Sequence, residues 1–259
     1  MSPRPDSQTF TKQIKCDKIK NKQFLNNRKT RKRKGGAFLC YPLLVVLTGS
    51  AMYRRHYQSY TIMKTLASTG FLLIGAVTWL TSGQAIYLAL LPAYLCCFIG
   101  DVLLALSNEI DNELKNPQFT LGVAAFAIAH IFVIIEFGKL LHWQLSLSWV
   151  LVPLALFAYT FYTATAAKDR FCYGQNAVPS LVYAVVVGLC GGMGWDLALS
   201  HSGEPALLLM GLGAVSFMAS DFILAHKYFC VIKKQQTGAG VLLFYYGAMG
   251  MLSAFPLLL

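Results

Sequence analysis

Residues 84–106 read QAIYLALLPAYLCCFIGDVLLAL. This stretch holds one charged side chain, Asp101. A helix crosses the hydrocarbon core of a bilayer in about 20 apolar residues, range about 17–25. The stretch is long enough, and it lacks the strict alternation of a barrel strand. Helices and closed barrels are the only backbones that satisfy their own polar groups in lipid. The reading is therefore a transmembrane helix with a carboxyl inside it. Seven more apolar stretches follow the same logic, near 37–53, 62–80, 118–137, 145–167, 177–199, 205–226 and 239–258. The expected fold class is an all-α integral membrane protein with eight transmembrane helices in one bundle. The stretch at 37–53 is the weakest span, being short and interrupted by Pro42 and Gly49.

Composition agrees. The chain has 259 residues, of which 56% are hydrophobic and 13% charged. A soluble protein carries roughly a quarter charged residues. The mean hydropathy is +0.53. The net charge of +11 belongs to one end, because 12 of the 22 Lys and Arg precede residue 37. The rest of the chain carries ten basic residues against nine acidic ones. Two regions result: a basic, disordered tail over 1–36 and a transmembrane domain over 37–259. The tail is read as solvated, with anionic lipid or nucleic acid as the less favoured partners; no nucleic-acid partner is expected for the protein as a whole. The seven cysteines show no metal-ligand spacing and no disulfide framework.

Charge between the spans gives a conflict over orientation. The connections after the first, third, fifth and seventh spans carry nine Lys or Arg, and the others carry Lys139 alone. The positive-inside rule then puts the N-terminus outside the cytoplasm. The tail, with its 12 basic residues, argues the reverse. The loops are given more weight. A bacterial inner membrane is the preferred location over the endoplasmic reticulum.

Charged groups in lipid are costly and mark functional sites by default. Asp101 has a counterpart in FMASDFILAH, residues 217–226, at Asp221. At about 1.5 Å per residue, both aspartates lie roughly 8 Å inside the odd-loop ends of their helices. Lys64 begins the second span from that side, His130 lies about 18 Å down the fourth, and Tyr245 and Tyr246 about 10 Å down the eighth. Six polar side chains from five helices thus fall in one leaflet, with Ser220 beside Asp221. Each has a plainer explanation: Lys64 and Asp101 as a structural ion pair, His130 as an interhelical hydrogen bonder, the tyrosines as interface anchors. GDVLLA around Asp101 and SDFILA around Asp221 share a small-Asp-x-aliphatic-Leu-Ala pattern, each on the third helix of a four-helix half. This allows two parallel four-helix halves with both aspartates on a shared axis.

Five ordered blocks carry a resemblance: FIGDVLLAL around Asp101, GVAAFAIAHIFVIIEF around His130, YAVVVGLCGGMGW, GAVSFMASDFILAHKYF around Asp221, and FYYGAMGMLSAF. Over about residues 60–255 the chain resembles the YhhN-like lysoplasmalogenase family of multi-pass membrane proteins. It departs where members have Lys-Pro and this chain has Lys64-Thr65, and where members have Gln and this chain has Met249. The resemblance implies hydrolysis of the vinyl ether of a lysophospholipid, the lysoplasmalogen, to a fatty aldehyde and a glycerophospho-base. Such an ether is cleaved by protonation at its β-carbon and addition of water to the resulting oxocarbenium ion. Two carboxyls in unlike surroundings can divide the work. On this reading Asp101 and Asp221 are acid and base in an order the sequence leaves open. His130 relays a proton or meets the headgroup, Lys64 holds the phosphate, and Tyr245, Tyr246 and Ser220 contact substrate or water. No metal or organic cofactor is implied. Two alternatives stay open: a proton-coupled small-molecule or lipid transporter, whose broken helix the glycines at 188, 191, 192 and 194 would permit, and a membrane protein that binds lysolipid without turnover. Oligomeric state is left open.

Overall fold

The computed structural model describes residues 41–52, 57–108, 113–232 and 235–259. Those from Leu43 to Leu259 belong to one compact unit. The expected 1–36 tail lies outside the described residues.

Among the described residues eight α-helices run in order: α1 Tyr41–Met52, α2 Tyr57–Ser82, α3 Ile86–Ser107, α4 Pro117–Leu140, α5 Ser148–Thr165, α6 Ala177–Ser200, α7 Pro205–Phe229 and α8 Gln235–Ala254. Seven of them, α2 to α8, are long and apolar enough to cross a membrane. They fit a multi-pass membrane protein. At the first expected span, 37–53, the described helix Tyr41–Met52 is a shorter apolar helix, and the rest of that stretch lies outside the described residues. The described residues contain no strand, only one isolated antiparallel bridge between Phe171 and Cys230.

Local chemistry sets several boundaries. Asn116 caps α4 by accepting from the Gln118 amide at 3.0 Å, with Pro117 in the first turn, where a missing N–H costs nothing. Pro205 opens α7 in the same way. The α4–α5 connection turns through His142 and Trp143, both at positive φ, and lays the Trp143 indole over Gly138.

The helices pack as neighbours in sequence: α2 on α3, α3 on α4, α5 on α6, α6 on α7, α7 on α8. Two further contacts, α4 with α6 and α2 with α8, join distant parts of the chain. Small residues permit the close approaches, as is usual between helices in lipid. A Cβ at Gly188 would meet the Pro153 backbone at 2.5 Å, and one at Gly211 would meet the Gly194 carbonyl at 2.5 Å. The glycines of α6 therefore serve packing against α5 and α7. The helix runs unbroken from Ala177 to Ser200, contrary to the broken helix a transporter reading would use.

Candidate active site

Asp101 lies on α3, on a helix otherwise fit for hydrocarbon, and is 1% exposed. Three neighbours make this tolerable. The Lys64 ammonium of α2 stands 3.0 Å from its Oδ1. Ser68, one turn after Lys64, donates to Oδ2 at 2.6 Å, and Tyr245 of α8 donates to Oδ2 at 2.7 Å. A buried carboxylate paired and hydrogen-bonded on both oxygens meets the conditions under which buried charge survives. Gly100 is required beside it, because a Cβ there would come within 2.7 Å of the Phe126 ring.

Asp221 lies on α7 and is 6% exposed. Its surroundings differ. Tyr183 of α6 donates to Oδ2 at 2.9 Å. His130 of α4 brings Nε2 to 3.3 Å from the same oxygen, without the alignment of a good hydrogen bond. His130 Nδ1 lies 2.8 Å from the Phe126 carbonyl. A carbonyl only accepts, so Nδ1 carries a hydrogen and Nε2 is left to face Asp221. The imidazole nitrogen and the carboxyl thus face each other at 3.3 Å with no hydrogen bond formed between them. Among the described residues, no Lys or Arg forms an ion pair with Asp221.

Two cavities meet at Asp221. The smaller, about 20 Å³, has room for about one water. Both aspartates line it, together with Lys64, Ser220, Lys227 and Tyr245. The larger is an apolar groove of about 460 Å³ walled by α4, α5, α6 and α7. Asp221, Leu224 and Tyr228 line both.

The residues singled out from sequence divide by position. Asp101, Asp221, Lys64, Ser220 and Tyr245 reach the small cavity. Tyr246 and His130 stand behind its wall. Tyr246 lies 3.2 Å from the Ser68 hydroxyl and donates to the Lys64 carbonyl at 3.2 Å, which braces the partners of Asp101. Lys64 is already committed to Asp101, and Ser220 donates to the Val241 carbonyl at 3.3 Å. Two residues escaped the sequence reading: Ser68 and Tyr183. A signal for Tyr183 existed, since it precedes Asp221 by 38 positions as Lys64 precedes Asp101 by 37. Among the described residues, no three His, Cys, Asp or Glu side chains are grouped as a metal site.

A family model described as the YhhN family matches residues 59–254, which include every residue of this site. No curated protein and no solved structure matches the chain.

Proposed function

The chain belongs to the YhhN family, and from that premise we propose that it hydrolyses the vinyl ether of lysoplasmalogens inside the membrane. One observation carries the reading: two aspartates from different helices line one water-sized cavity, and only Asp101 has an ammonium against it. Unlike surroundings for paired carboxyls are the arrangement that separates an acid from a base.

Asp221 is the proton donor. It delivers its proton to the β-carbon of the vinyl ether, the alkene electrons form the new C–H bond, and the ether oxygen stabilises the adjacent cation. Asp101, held as an anion by Lys64, Ser68 and Tyr245, faces that cation and accepts a proton from the water that adds to it. The hemiacetal then collapses. Asp101 returns its proton to the departing glycerol oxygen, and the hemiacetal hydroxyl proton passes to Asp221, with His130 Nε2 as its neighbour in transit. One water is consumed and both carboxyls are restored. His130 and Tyr183 position Asp221; Lys64 balances the charge of Asp101 rather than that of a phosphate.

The test uses purified full-length protein in detergent with a lysoplasmalogen in H₂¹⁸O and, separately, D₂O. Aldehyde release with ¹⁸O in the aldehyde and one deuterium at its second carbon is the expected result. No aldehyde, or ¹⁸O in the glycerol product, overturns the reading.

A further inference from the structure

We propose that the groove between α4, α5, α6 and α7 is the site for a single hydrocarbon chain, laid so that its polar end meets Asp221. The choice of a lysolipid as the occupant rests on the function proposed above; the location of the chain does not.

The groove's volume, about 460 Å³, lies within the range of small-molecule sites, roughly 300–1,000 Å³. Its walls are mainly aliphatic and small, including Val123, Ala127, Leu156, Ala184 and Val186. Short side chains of α4 and α6, among them Ala124, Ala127 and Ala184, leave much of this space. The polar groups are not spread evenly in meaning: Asp221 and Tyr228 belong also to the small cavity, so the apolar groove opens there onto polar ground. That ground includes Lys227, whose ammonium lies 4.9 Å from the Tyr228 ring and forms no ion pair with a described carboxylate. An anionic group on the ligand would complement it.

The change from apolar to polar is the feature that selects the occupant. A single-chain amphiphile has one point where hydrocarbon becomes polar, and the groove's lining has one charged side chain, Asp221. Matching the two puts the first carbons of the chain beside the Asp221 carboxyl and the headgroup toward Lys227. Chains in a bilayer are already in hydrocarbon, so transfer into the groove brings little hydrophobic gain. The groove therefore fixes register rather than affinity. Filling part of it with a bulky side chain shortens the chain that it can seat.

A saturated ether lysophospholipid bearing a mid-chain diazirine tests this, because it has no vinyl ether to cleave. Full-length protein in liposomes is irradiated and the labelled positions are mapped by mass spectrometry. Labelling concentrated on the α4 and α6 walls, near Ala127 and Ala184, and displaced by unlabelled lysophospholipid but not by diacyl phospholipid, is the expected result. Ala127→Trp should reduce that labelling at least tenfold and move the preferred chain of the turnover assay to shorter lengths; Ala184→Leu should do the same more weakly. Label scattered over lipid-facing helix surfaces, equal displacement by diacyl lipid, or cross-links between two copies of the chain would overturn the proposal. Groove labelling without aldehyde release would leave the chain site standing and remove the hydrolase; aldehyde release with labelling elsewhere would do the reverse.

Discussion

Asp101 and Asp221 occupy matching places in the chain. Each follows a small residue near the end of its helix, and each takes a partner from the helix before it and another from a distant one: Lys64 of α2 and Tyr245 of α8 for Asp101, Tyr183 of α6 and His130 of α4 for Asp221. The difference lies in what those partners are. An ammonium and two hydroxyls surround the first, while a phenol and an imidazole adjoin the second. Charge compensation ties Asp101 to the scaffold. Asp221 is tied less firmly and opens onto the groove, the position expected of a group that gives up a proton and takes it back. Equivalent backbone positions have thus been given unequal electrostatic work.

The largest effect should come from unbalancing the first site. Lys64→Met leaves a carboxylate buried without its cation, which costs about 3–5 kcal/mol. We expect a large loss of thermal stability in detergent, partly restored by adding Asp101→Asn; a melting temperature equal to that of the unaltered protein would break the distinction. Asp221→Asn leaves no charge stranded and keeps an oxygen to accept from Tyr183. It should melt nearly as the parent does yet lose about 10³-fold in kcat, within the range of general acid catalysis. Tyr183→Lys gives the second aspartate the ammonium that the first already has. Turnover should vanish while lysolipid labelling of the groove persists, and retained turnover would show that a cation at this position does not matter. Tyr183→Phe removes one hydrogen bond to a charged or protonated carboxyl, worth about 1–3 kcal/mol. It should lower kcat about tenfold and leave KM alone. The smallest effect, about 1 kcal/mol of stability with turnover kept within a few-fold, is expected for Ser68→Ala, because Lys64 and Tyr245 still hold Asp101.

The sequence made the helices legible because lipid leaves few choices: long apolar runs between short polar connections have one reading. At α1 the described helix is shorter than a span, and the rest of the apolar stretch lies outside the described residues. Charged residues in the spans were legible for the same reason, since each is an exception that needs a partner, and Asp101, Asp221, Lys64 and Tyr245 reach one cavity. Ser68 and Tyr183 were not, because serine and tyrosine occur in membrane helices without special purpose and only their contacts distinguish them. The groove left no mark at all. It is made of what Ala124, Ala127 and Ala184 lack, and missing volume becomes visible only when four helices are placed together.

The central claim is that the two carboxyls act on one bond. A double-mutant cycle in kcat for aldehyde release, with Asp101→Asn, Asp221→Asn and the pair, tests it most directly. Groups that work as a unit lose activity non-additively. The account predicts that the double variant is no slower than the slower single one, whereas losses that multiply would show two independent contributions and contradict it.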